Sequence, residues 1–173
     1  MNATTKDGLA IVKRLSDSKY NFLDANGKLL FDKWFDWVRS FQDGFVRVAR
    51  DGKYNYIGED GNLLSDKWFG WAEDFEDGFA RIRNWDKQYN LINKQGEILS
   101  NEWFDWISGF YDGFSVVGRG NHEYNYMDKE GKIISSEWFR YVDYFDEYDL
   151  AVVQRTNGEQ CKIDKQGKIV ISK

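Results

Sequence analysis

The sequence contains no proline, one cysteine, one histidine and two methionines in 173 residues. A lone cysteine, Cys161, cannot close an internal disulfide, and the paired-cysteine spacing of a zinc site is missing. A Cys-His nucleophilic pair of Cys161 with His122 exists by inventory, but no spacing supports it. No Gly-rich loop leads from a strand into a helix to cradle phosphate, and no metal-ligand cluster stands out, so neither cofactor nor metal is expected. Long apolar runs are also missing. Nothing approaches the roughly 18 residues that a membrane span needs, and Met1 to Lys6 carries no apolar signal stretch, so a soluble, cytoplasmic chain is expected. Positive charge is not in excess. Lys and Arg number 24 against 29 Asp and Glu, a net charge of −5, which argues against generic nucleic-acid or anionic-membrane binding.

What the chain has instead is aromatic surface to bury. Thirteen Phe, ten Tyr and eight Trp make up 18% of the residues, far more core material than a disordered segment carries. They are also ordered along the chain. Trp34, Trp68, Trp103 and Trp138 are spaced by 34, 35 and 35 residues, and each opens a near-copy of Trp-Phe-x-Trp, the last reading Trp138-Phe139-Arg140-Tyr141. Asp43-Gly44, Asp77-Gly78 and Asp112-Gly113 follow in register, with Asp7-Gly8 before them and Asp149-Leu150 as a looser last copy. Tyr-Asn pairs stand at Tyr20, Tyr54, Tyr89 and Tyr124, with Gln160-Cys161 in the fifth place, and Gly27, Gly61, Gly96, Gly131 and Gly167 complete the pattern.

Each unit reads as three short strands. Segments rich in Val, Ile, Tyr and Phe are separated by Gly, Asn and Asp, the punctuation of hairpins. In one unit these are strand 1 (Phe45 to Arg50), a turn at Asp51-Gly52, strand 2 (Lys53 to Gly58), a turn at Asp60-Gly61, and strand 3 (Asn62 to Ser65). The Trp-Phe-x-Trp segment then links to the next unit, as a fourth strand or one helical turn. The expected fold is all-β: a single domain of five repeats, about 35 residues each, with units near 7–42, 43–76, 77–111, 112–147 and 148–173. The last is a polar cap, and the ends fall near repeat boundaries as in a complete array. Five units with four links suit an open, solenoid-like row; the alternative is a closed five-bladed propeller.

These residues resemble a known family. Tyr54-Asn55-Tyr56-Ile57-Gly58-Glu59-Asp60-Gly61-Asn62-Leu63-Leu64, followed by Asp77-Gly78-Phe79-Ala80-Arg81-Ile82, is similar to the WG (KWG) repeat of bacterial and phage proteins. Tyr-Asn replaces the name-giving Trp-Gly, and Trp-Phe-x-Trp replaces the usual proline-containing link. The resemblance implies a β-rich repeat array with a binding role and no shared catalytic residues.

Repetition also sorts the candidates. Positions that recur in every copy are explained by stacking of units, so the Trp-Phe-x-Trp rows are expected in the core and the Asn row (Asn21, Asn55, Asn90, Asn125) as a polar ladder. Arg14, Arg50, Arg119 and Arg155 recur at the end of strand 1, with Asn84 in the third copy and Arg83 beside it. They form a basic row suited to carboxylate or phosphate, or else pair with nearby acids. The loop after strand 1 varies between copies and carries His122 and Trp85, the one tryptophan outside the repeat register. The expectation is a non-enzymatic module that recognises a protein partner through this variable edge, with Trp85, His122, Arg50, Arg83, Arg119 and Arg155 as contact residues. Its most specific form is a phage or mobile-element protein that blocks a host factor. The alternative is a small ligand: a glycan stacked on aromatics, or an anionic metabolite or nucleotide on the arginines.

Overall fold

Short β-branched and aromatic runs, cut every few residues by Asp-Gly or Asx turns, leave room only for strands and tight hairpins. The computed structural model describes residues 9–172, so the Asp7-Gly8 mark lies outside the described residues. Among these the protein is all-β, with no helix and no sheet closed into a barrel. The strands form small antiparallel sheets: β1 (Ala10–Lys13) with β2 (Tyr20–Leu23); β3 (Trp37–Val38), β4 (Phe45–Arg50) and β5 (Lys53–Gly58); and β6 (Trp71–Ala72), β7 (Phe79–Arg83) and β8 (Tyr89–Asn93). Then come β9 (Trp106–Tyr111), β10 (Phe114–Arg119) and β11 (Glu123–Asp128), and finally β12 (Tyr141–Val142), β13 (Leu150–Gln154), β14 (Gln160–Asp164) and β15 (Ile169–Ser172).

Cα packing gathers the chain into two compact units, Met1–Asp86 with Leu91–Glu97, and Lys87–Asn90 with Ile98–Lys173. In the first, Phe22, Phe35, Val46, Val48 and Ile57 form one buried cluster. In the second, Tyr126, Phe139, Phe145, Ala151, Val153, Cys161 and Ile163 form another.

Strands 1 and 2 of the sequence reading coincide with β4 and β5, and Asp51 and Gly52 between them take φ of 53° and 71°. Asp43-Gly44, Asp77-Gly78 and Asp112-Gly113 likewise have positive φ at both residues, the geometry of the two-residue hairpin that matches strand twist. The Trp-Phe-x-Trp link is a strand rather than a helical turn, and it divides its hydrogen bonds between two sheets. Phe35 exchanges both backbone bonds with Tyr20 at 2.8 Å. The next residue, Asp36, donates to Ala49 O at 2.8 Å, and Trp37 and Val38 pair with Ala49 and Val48. The same two-sided pairing recurs where Tyr124 bonds Phe139 and β12 pairs with β13.

Strand 3 is not a continuous strand in the described inner copies. Leu23 bridges Leu29 and Tyr20 bridges Phe35, so a three-residue step on one side faces six residues on the other. The asparagine row fills this gap. Asn55 Nδ2 donates to the carbonyls of Ser65 and Lys67 at 2.7 and 3.1 Å, and its Oδ1 accepts the Tyr56 N–H at 2.7 Å. Asn125 does the same with Ser135, Glu137 and Tyr126. Buried amides that complete backbone bonding in this way explain the row without a ligand. Where Cys161 replaces the asparagine, β14 and β15 pair as an ordinary ladder with one irregularity.

The recurrent glycine after the second hairpin is also a contact. Gly131, at φ 82°, lies so close to the preceding copy that a Cβ would stand 2.0 Å from Leu99 O, and at Gly167 a Cβ would stand 2.0 Å from Ile134 O. Successive turns nest there because no side chain intervenes.

Candidate functional site

The link aromatics do not share one environment, and the expectation of a uniform core row is corrected. Phe35, Phe69, Phe104 and Phe139 are buried, whereas the first tryptophan of each copy is half-buried and the second position is exposed at Trp106 (46%) and Tyr141 (51%). The Phe points into the sheet interior; its neighbours alternate outward, as strand geometry requires.

The arginine row covers the half-buried tryptophans. Arg14, Arg50 and Arg119 place their guanidinium carbons 4.4, 4.6 and 3.8 Å from the ring centroids of Trp34, Trp68 and Trp138, close enough for cation–π attraction. Carboxylates pair with Arg14, Arg119 and Arg155. Arg14 forms a two-pronged pair with Asp17 and holds its carboxyl down at about 2, while Arg119 pairs with Glu102 at 2.6 Å. Arg155 has no following Trp link and instead binds Glu159 and Glu137 at 2.9 and 3.0 Å, hydrogen bonds that raise its own pKa. Arg83 lies 5.9 Å from the Trp71 ring centroid. The row is therefore engaged within the protein, with Arg50 and Arg83 in the first unit and Arg119 and Arg155 in the second. Trp85, in the β7–β8 loop of the first unit, is 60% exposed with Lys53 Nζ 5.9 Å from its ring.

His122 lies in the second unit, at φ 58° in the loop between β10 and β11. It lines a cleft of ≈ 550 Å³ together with Trp106, Tyr124, Arg140, Tyr141, Asp143 and Tyr144, floored by Val116 and Val142. Trp106 meets Tyr124 edge to face at 6.3 Å, and Tyr144, 57% exposed, lies 4.9 Å from the Tyr111 ring. The cleft thus offers several aromatic surfaces, one carboxylate and two nitrogen side chains. Sequence reasoning found His122 and missed Arg140, Tyr141, Asp143 and Tyr144, which come from the following link. Cys161 is buried, and burial pushes its thiol pKa up, away from the nucleophilic thiolate.

Antiparallel hairpins repeated at a fixed period and joined by a shared link strand define a β-repeat protein. A model of the WG containing repeat matches residues 22–54 and 56–87, so this part of the chain carries two copies of that repeat. No curated protein matches it in sequence. Among solved structures it is similar to the computationally designed Ika8 protein, with 15% identity and a TM-score of 0.38 over 99% of this chain and 60% of that one. BamB from Moraxella catarrhalis has 11% identity and a TM-score of 0.37, covering 97% and 61%, and Kluyveromyces lactis Hsv2 has 9% and 0.40, covering 99% and 61%. The chain spans about 60% of the length of these structures. No helix among the described residues is long and apolar enough to cross a membrane.

Proposed function

We propose that this β-repeat protein is a non-enzymatic binding module, and that it recognises a protein partner through the aromatic cleft of its second unit. The observation that carries this reading is the exposure of Trp106, Tyr141 and Tyr144 around one concavity, beside Arg140. Exposed tryptophan, tyrosine and arginine in a pocket are the side chains that dominate protein interfaces. The arginine row is less suited to an anionic metabolite, because Trp faces and carboxylates already occupy its guanidinium groups. Burial of the only cysteine supports a role without thiol chemistry, and a single thiol with no disulfide fits a reducing, cytoplasmic setting.

The test is crosslinking and affinity capture with the wild-type chain and a Trp106→Ala/Tyr144→Ala variant. Captured partner should fall at least tenfold in the variant while the fold is retained. Equal capture by both removes the cleft from the interface. A melting shift with an oligosaccharide panel, and no protein partner, favours the small-ligand alternative instead.

A further inference from the structure

The first unit fills the corresponding groove from within. Aligned on the link, Trp37, Arg47, Tyr54, Trp71, Ala72 and Asp74 stand where Trp106, Val116, Tyr124, Tyr141, Val142 and Tyr144 stand in the second unit. The Arg47 guanidinium lies 5.2 Å from the Trp37 ring centroid, donates from Nη1 to the Ala72 carbonyl, and pairs through Nε with Asp74 at 3.2 Å. The Arg47 side chain is only 12% exposed, so the repeat's own groove holds a desolvated guanidinium against a tryptophan and a main-chain carbonyl.

Val116 replaces that arginine in the second unit, and there the groove is the cleft of ≈ 550 Å³. The indole face and the carbonyl position are retained as Trp106 and Val142. Asp74 is exchanged for the ring of Tyr144, while the carboxylate lining the cleft is Asp143, at the place of Glu73. Two side chains with no counterpart in the first unit are added. Arg140 stands where Gly70 does, and His122 comes from a loop one residue longer.

Resting on the reading of this cleft as a protein-binding site, we infer that it receives an arginine side chain of the partner, seated over Trp106 as Arg47 is over Trp37. Tyr141 and Tyr144 extend the aromatic surface around the guanidinium, and Asp143 offers it a carboxylate. Arg140 would repel a bare cation, so it selects a partner in which a carboxylate neighbours the arginine, and His122 adds a hydrogen-bonding ring beside it. The recognised chemistry is therefore a guanidinium with an adjacent acid, such as an Arg-Glu step.

The experiment titrates the full chain with acetyl-Ala-Arg-Glu-Ala-amide and with the same peptide carrying uncharged citrulline for arginine. The NMR shift of the Trp106 indole N–H reports binding. A saturable shift with the arginine peptide, at least tenfold weaker with citrulline, is expected. Val116→Arg restores the internal guanidinium and should abolish the shift; Asp143→Asn, at an exposed position, should weaken binding at least threefold and serves if Val116→Arg fails to fold. Equal binding of the two peptides, undiminished binding by both variants, or no shift with either peptide overturns the inference. Partner capture that depends on Trp106 and Tyr144 but is not competed by the arginine peptide overturns it while leaving the proposed function standing. Capture indifferent to Trp106 and Tyr144 removes the proposed function itself, whatever the peptides do.

Discussion

Asn125→Ala tests the asparagine row most directly. The side chain is 0% exposed; Nδ2 holds the carbonyls of Ser135 and Glu137 at 2.9 and 2.8 Å, and Oδ1 takes the Tyr126 N–H at 2.8 Å. Alanine removes all three bonds. Each buried polar group left without a partner costs about 1–3 kcal/mol. With one group at the solvent-facing end recovered by water and the other two at the lower half of that range, the loss is about 3 kcal/mol, a large part of an ordinary domain's ~5–15 kcal/mol. Asn125→Asp keeps the shape but turns a carboxylate toward two carbonyls. Its folded-state pKa should rise above the unfolded value of ~3.9, so its deficit relative to wild type should shrink as pH falls toward that range. Urea unfolding followed by tryptophan fluorescence at neutral and acidic pH measures both. A loss below ~1 kcal/mol for Asn125→Ala, less than one unsatisfied group, would refute the gap-filling role.

Gly27→Ala and Gly131→Ala separate backbone strain from packing. Both glycines have φ near 80°, but a Cβ at Gly27 meets nothing within 4 Å and one at Gly131 meets Leu99 O at 2.0 Å. The first should cost about 1–2 kcal/mol and the second clearly more, read from urea midpoints. Phe104→Ala should cost about 3–5 kcal/mol because the ring is fully buried, whereas Trp106→Ala, at 46% exposure, should cost less than half as much in the same denaturation. Asp36, Asp43 and Asp60 have carboxyl pKa values lowered chiefly by the Asp51 N–H, by Lys94 and by the Asn62 N–H respectively. The stability they contribute is complete above their unfolded pKa near ~3.9 and is lost as pH falls through their lower folded values, so the melting temperature should decline below about pH 4, by a modest amount because the groups are solvent-screened. A flat profile there would contradict these pairings.

The period, the hairpins and their turns were legible because Asp-Gly and Asn fix backbone conformation locally. The interrupted third strand was not, since its path depends on a side chain, Asn55 or Asn125, reaching across a gap that propensity cannot register. The arginine row was legible as a position only. Its partners, Trp34, Trp68 and Trp138, lie some twenty residues on and meet the arginines through folding. The cleft drew on two successive copies, so no single motif contains it. Its one signal in the sequence was the column in which Arg47 and Arg81 give way to Val116.

The two-sided link also sets an order of assembly. Phe35 completes the sheet behind it while Trp37 and Val38 begin the one ahead, and the strands of each sheet are close neighbours in sequence. A chain emerging from the ribosome can therefore finish one sheet with the same few residues that start the next. Each completed sheet leaves a strand edge for the next period to pair with, so the loops to be closed stay about one period long, the short-range contact pattern that favours fast folding.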